Sequence, residues 1–171
     1  MLTLEEEIEN QKSWLNDPHK TTFIIFQNLA NCPGADNSNT NESNQHFIED
    51  PKFPKECEGH KMIGDINLFF GNHFEDNEAE IMVMIAEKNA RKLGLAKEAV
   101  GLLESFAYNV LNKDTIIAKI KMGNDASMKF FEKLGYDKYK EIAAFEEVHY
   151  KKVFEEGQVA KLDNITPFLS C

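Results

Sequence analysis

No apolar run in this chain of 171 residues approaches the length needed to cross a bilayer. An α-helical membrane protein is thereby excluded, and no membrane partner is expected. Cysteine is scarce. Cys32, Cys57 and Cys171 are odd in number and scattered, and none falls in a C-x-x-C pair. That spacing excludes a disulfide scaffold and a cysteine zinc site, so no metal is expected and a reducing compartment is. Positive charge is in deficit: 19 Lys and Arg against 29 Asp and Glu leave a net charge of −10. A general role in binding nucleic acid is disfavoured, whereas a cationic substrate is tolerated. The opening segment MLTLEEEIEN is acidic and lacks the apolar core of a signal peptide, which points to the cytoplasm. Two glycosylation-type tripeptides, at Asn41 and Asn164, are chance matches in that setting.

The composition is that of an ordinary globular domain, 42% hydrophobic and 28% charged, with length enough for one core. Thr3 and Glu6 have capping-box spacing, and Leu4, Ile8, Trp14 and Leu15 place an apolar stripe on a helix stopped by Asp17-Pro18. Residues 21–27 (TTFIIFQ) are strand-like. Residues 28–61 are rich in Asn, Pro, Glu and Gly and form a long loop. Residues 62–70 and 79–86 are two further strands, expected to pair antiparallel in a meander. From Leu95, apolar residues recur at Ala99, Leu102, Leu103, Phe106 and Val110, the spacing of a core-facing helix to residue 111. Residues 115–122 are a strand. Residues 124–134 are a short helix with Asn124 as N-cap and Gly135 just past its end. Residues 136–143 and 145–154 are two last strands. Residues 1–154 thus form one domain, and 155–171 a flexible tail.

The chain is organised around residues 79–111. A strand runs into a turn, Arg91-Lys92-Leu93-Gly94-Leu95-Ala96, and the turn into a long helix. No carboxylate occurs from Asn89 to Lys97. This junction aims free backbone N–H groups and the positive helix end at one point, which suits an anion and phosphate above all. It is neither a P-loop nor a three-glycine dinucleotide turn. Gly94 has no Cβ, so backbone can close on a phosphate.

The R-x-x-G-x-A turn resembles the pyrophosphate loop of the GNAT superfamily of acetyl-CoA-dependent N-acetyltransferases, whose pattern is Q/R-x-x-G-x-G/A. A second family pattern, N-x-x-[AS]-x-x-x-Y-x-x-x-G-[FY], is matched in part by Asn124, Ser127, Gly135 and Tyr136, with Asn124 lying 33 positions after Arg91 (124 − 91). The order of elements is similar too. Within the superfamily, the stretches LTLEEE, TTFIIF, MIGDINLFF, EIMVMIAE and AKIKMGNDASMKFFEKLGY resemble the N-acetyltransferase 9-like group over residues 2–153. The resemblance implies an α/β fold with a mixed, mostly antiparallel sheet flanked by helices. It also implies acetyl-CoA as co-substrate and a protein or peptide amine as acceptor, tubulin among those associated with the group. It assigns cofactor binding to Ile85, Ala86, Arg91, Lys92, Leu93, Gly94, Leu95, Ala96, Asn124, Ser127 and Phe131, with Ile85 and Ala86 acting through backbone groups.

Two departures follow from that comparison. The family normally places a strand and a helix ahead of the element that opens here at Leu4, so an N-terminally shortened domain is expected. Phe131 stands where many relatives carry a Tyr that protonates the departing thiolate, and a phenyl ring has no proton to give. Glu80 is the candidate general base, since an ammonium cannot attack a thioester until it loses a proton. An α-amine, with pKa about 7.7–8.0, needs less help than a lysine at about 10.4, so an N-terminal amine is the expected acceptor. His149 and Tyr136 have proton-carrying groups but are expected to be surface or core residues of the strands, and Met82 and Met84 are expected to pack. The competing reading is a GNAT-derived interaction module, microtubule-associated and without catalysis.

Overall fold

The computed structural model describes residues 3–28, 60–71, 74–155 and 157–159. The expected long loop therefore falls almost wholly outside the described residues, as does most of the expected tail. Helix α1 (Leu4–Leu15) leads to strand β1 (Lys20–Asn28), then β2 (His60–Phe69) and β3 (Glu78–Ile85). Helix α2 (Leu95–Asn109), strand β4 (Thr115–Lys121), helix α3 (Asp125–Lys133), and strands β5 (Asp137–Ile142) and β6 (Glu147–Val153) complete the order. The local signals act as expected. Thr3 and Glu6 exchange backbone-to-side-chain bonds of 2.7 and 3.3 Å, the reciprocal capping box. Asn124 accepts from the Ser127 N–H at 3.2 Å at the start of α3, and Gly135 turns the chain out of it at φ 84°.

The six strands form one sheet in the order β1-β2-β3-β4-β6-β5. Every neighbouring pair is antiparallel except β3 and β4. That parallel pair is joined only through Glu78–Thr115, Ala79–Ile116 and Glu80–Ile117. Beyond these three pairs, residues 81–85 of β3 and 118–121 of β4 continue as strand without pairing to each other. The sheet is thus split from the middle of β3 onward.

Alternation along the strands gives the sheet two unlike faces. One carries Ile66, Leu68, Ala79, Ile81, Ile116, Ala118, Ile120, Val148 and Tyr150, packed under Val100, Leu103 and Ala107 of α2 and Phe131 of α3. Burying each such aliphatic side chain contributes about 1.5–3 kcal/mol. The core-facing line of α2 is therefore centred on Val100, Leu103 and Ala107, whereas Leu102 and Val110, expected inside, are half exposed. A residue adjacent to Leu103 sits about 100° around the helix from it and so misses the sheet.

The other face carries Glu78, Glu80, Met82 and Met84 on β3, with Lys119 and Lys121 on β4. Met82 and Met84 are 50% and 52% exposed and do not pack in the core, contrary to expectation, because the core-facing sides of α2 and α3 both lie on the opposite face. Beside them, Thr22 donates to Asn67 at 2.7 Å and Asn67 to Asp65 at 2.6 Å.

Beneath α2 the core is tied by charge. Glu104, 9% exposed, accepts from the Tyr136 hydroxyl at 2.8 Å and from Lys152 at 3.0 Å through both oxygens. Burial, then the adjacent Glu104 carboxylate, raises the Tyr136 hydroxyl well above the usual tyrosine range. The folded chain therefore keeps a proton that the unfolded chain releases above about pH 10. The linkage sign follows: stability is full below that pH and falls as pH rises beyond it. We expect thermal midpoints to decline above about pH 10, and Tyr136→Phe to flatten that decline. A variant with the same alkaline slope as wild type would remove Tyr136 as its source.

Candidate active site

Helices α2 and α3 each begin where a splayed strand ends. Chain leaving β3 reaches the start of α2 at Leu95, and chain leaving β4 reaches α3 through Asn124. In sheets of this kind a ligand sits outside the carboxyl ends of the strands, where neighbouring strands part company. The first internal bond of α2 runs from the Glu98 N–H to the Gly94 carbonyl at 3.1 Å. Among the described residues, the N–H groups of Leu95, Ala96 and Lys97 have no backbone acceptor, and no side chain caps this end. Those three donors and the positive end of the helix face the same region.

The turn is built for this exposure. Lys92 and Gly94 adopt positive φ, 64° and 86°. Glycine tolerates that conformation without cost, which explains its presence at 94. A Cβ built on Gly94 would meet nothing within 4 Å, so the space above the helix start is open. Lys92 and Leu93 are exposed there, and Lys97 lies on the outer surface of α2.

Arg91 behaves differently from a free phosphate ligand. Its Nε donates to the Ile85 carbonyl at 2.8 Å and its Nη2 to the Ala86 carbonyl at 3.2 Å. The Ala86 N–H is also engaged, donating to the Ile63 carbonyl at 2.8 Å. The side chain of Arg91 thus fastens the turn back onto the end of β3. Five N–H donors on a guanidinium allow this while leaving others for an anion.

The remaining residues separate. Asn124 and Ser127 sit at the start of α3, beside the end of β4. Phe131 does not reach that surface. It is 5% exposed, with its ring edge-on to Phe130 at 5.2 Å and Tyr136 at 5.0 Å. Tyr136 is buried on the helix-covered face and bonded to Glu104, away from the split. Glu80 stands at the last paired position of β3 and meets Lys119 at 2.6 Å. His149, 6% exposed, lies opposite Lys119 in the sheet and contacts Glu147 at 3.2 Å. Lys121, then His149, lowers the half-buried Glu147 carboxyl from its ordinary value.

Residues 5–137 match the model of the acetyltransferase (GNAT) domain. The chain belongs to the GNAT acetyltransferase family.

Among GNAT relatives, the N-acetyltransferase 9-like protein of Dictyostelium discoideum is 35% identical over 159 residues, 92% of this chain and 68% of that protein. The alpha/beta-tubulin-N-acetyltransferase 9 of Homo sapiens is 34% identical over 92% of this chain and 67% of its own length. The N-acetyltransferase 9-like protein of Nematostella vectensis is 36% identical over 88% of this chain and 66% of its own. The chain thus spans about two thirds of the length of these relatives. Among solved structures, it resembles Campylobacter jejuni N-acetyltransferase PseH in complex with acetyl coenzyme A, with TM-score 0.58 and 15% identity over 88% of this chain and 79% of that one. It also resembles Vibrio cholerae spermidine N-acetyltransferase in complex with CoA and spermine, with TM-score 0.61 and 14% identity over 90% and 76%. At such identities these structures establish the GNAT fold and nothing finer. The split between β3 and β4 and the glycine turn at the start of α2 are features of this chain's own geometry.

A carboxylate placed on the turn should close the site. Gly94→Glu adds bulk and negative charge at the open point and strains a φ of 86°. Coenzyme A at saturation should raise the thermal midpoint of wild type, as a ligand of the native state must, and leave that of Gly94→Glu unmoved. No ligand-dependent rise in wild type would overturn the placement of the cofactor.

Proposed function

We propose that this chain transfers the acetyl group of acetyl-CoA to an amine on a protein or peptide, preferring an N-terminal α-amine. The observation that supports this most is the uncapped start of α2 at the mouth of a split sheet, with three free N–H donors and an open space above Gly94. A pyrophosphate fits such a place by charge and by hydrogen-bond geometry. Lys92, Leu93, Gly94, Leu95 and Ala96 would hold it, aided by Arg91. Ile85 and Ala86 would guide the pantetheine arm along β3, with Arg91 turning from their carbonyls toward the phosphates. Asn124 and Ser127 would border the same cleft. When bound, acetyl-CoA supplies an acyl carbon activated as a thioester.

The chain's own contribution is to bring the amine in and take its proton. Glu80 lies at the base of the split and accepts the proton of the acceptor ammonium. The free amine then attacks the acetyl carbonyl carbon, the carbon–sulfur bond breaks as the nitrogen sheds its second proton to solvent, and the departing thiolate takes a proton from solvent. No cysteine lies on the cleft-forming elements β3, α2, β4 and α3, so the transfer is direct. The names of relatives that act on alpha/beta-tubulin make tubulin a reasonable acceptor to test first. A cytoplasmic setting agrees with three scattered cysteines. Among the described residues, no helix is long and apolar enough to cross a membrane. Exposure of Ile24, Met62, Met82 and Met84 on the open sheet face favours a second reading, a binding module that carries no transfer.

Two peptide classes separate acceptor types. With acetyl-CoA present, peptides with free N-termini should be acetylated ahead of N-blocked peptides with internal lysines, by at least about tenfold, given the roughly 2.5-unit gap in amine pKa. Preferential lysine modification would reverse the assignment of acceptor. Acetyl-CoA binding with no transfer to either class would favour the binding module.

A further inference from the structure

Glu80 does not stand alone at the base of the split. The Nζ of Lys119 lies 2.6 Å from its carboxylate and 4.9 Å from the centre of the Phe74 ring. The register pairs Glu80 with Ile117, and Lys119 is the next residue of β4 on the same face. This ion pair is therefore the first side-chain contact beyond the last backbone pairing, and it spans the cleft from one wall to the other. Its side chains are 18% and 32% exposed, against about 40% or more for Lys61–Glu87 and Lys138–Glu141 at the surface. A pair this shielded is ordered more firmly and screened less than a surface pair.

We propose that Lys119 is a positioning residue for acetyl transfer, holding the Glu80 carboxylate in one orientation at the cleft floor so that its second oxygen meets the acceptor's ammonium. The inference rests on the reading of Glu80 as the base. The proton balance is simple. The N–H bond of the acceptor ammonium breaks, its proton passes to the free oxygen of Glu80, and Lys119 keeps its three protons throughout. Without a facing cation, the carboxylate would be free to turn away from the acceptor. Phe74 also holds the ammonium, through the attraction of a cation to a ring face.

Other charged groups reach the pair. On β3, Glu78 is occupied by Lys151 of β6 at 3.2 Å. His149 of β6 is the cross-strand partner of Lys119 and is bonded to Glu147, itself held by Lys121 of β4 at 3.0 Å. Tyr139 of β5 lies within electrostatic reach of Glu78, Glu80, Lys119 and Lys151. On β2, the partner of Glu80 is Phe69, which carries no charge. Among the described residues, Lys119 is the cation that contacts Glu80 directly.

The test compares wild type, Lys119→Met, Lys119→Arg, Glu80→Gln and the Glu80→Gln/Lys119→Met double variant. Each is assayed with acetyl-CoA and a peptide bearing a free α-amine, and each is checked for the coenzyme A thermal shift. Lys119→Met should lose about 10- to 100-fold in kcat, the scale of a misplaced catalytic group. Its KM for acetyl-CoA and its thermal shift should be retained. Lys119→Arg should recover most of the rate. The double variant should be no slower than Glu80→Gln, because the two act through one group. A Lys119→Met variant with wild-type kcat overturns the proposal, as does a double variant in which the two losses multiply. Full activity in Glu80→Gln is a different outcome and refutes the base itself.

Discussion

Three backbone pairs between two parallel strands govern this molecule. β3 and β4 are joined at Glu78, Ala79 and Glu80 and nowhere further along. Parallel strands need a crossover, and α2 supplies it by packing Val100, Leu103 and Ala107 on the sheet. Had the pairing continued to the strand ends, the sheet would be closed and α2 would start above a continuous surface. Because it stops, the free halves of the two strands border an opening into which the starts of α2 and α3 both face.

The two faces of the sheet divide the work. The helix-covered face holds the core, and its one charged intrusion, Glu104 with Lys152 and Tyr136, is fully bonded. Among the described residues, no buried side-chain polar atom lacks a partner. The open face holds charge in rows across the strands, Glu80 to Lys119, Glu78 to Lys151, and Lys121 to Glu147 to His149. Next to these rows lie the half-exposed side chains of Ile24, Met62, Met82 and Met84. A concavity lined by Gly101, Ser105, Lys152 and Phe154 lies beside α2.

Much of the fold was legible because its signals are local. The capping box at Thr3, the cap at Asn124 and the turn at Gly135 depend on residues a few positions apart, and strand boundaries fell within one or two residues of expectation. What depends on long-range pairing was not legible. Periodicity placed Leu102 and Val110 inside, but the direction from which the sheet approaches α2 decides which stripe is buried. Met82 and Met84 alternate correctly for a strand, yet nothing local says which face receives the helices. Arg91 reads as a phosphate ligand by type, and only the folded turn shows it fastened to the Ile85 and Ala86 carbonyls. Glu80 could be named from its strand, whereas its contact with Lys119, 39 positions later (119 − 80), arises only once β3 and β4 are aligned.

The central claim is that the split between β3 and β4, topped by the uncapped start of α2, is where acetyl-CoA binds. Backbone amide resonances followed during a titration with coenzyme A test it most directly. The account predicts the largest changes at residues 92–97 with a second group at 124–127, because those N–H groups face the phosphates and border the cleft. Changes centred instead on Gly101, Ser105 and Phe154, or a spectrum that coenzyme A leaves untouched, would contradict it.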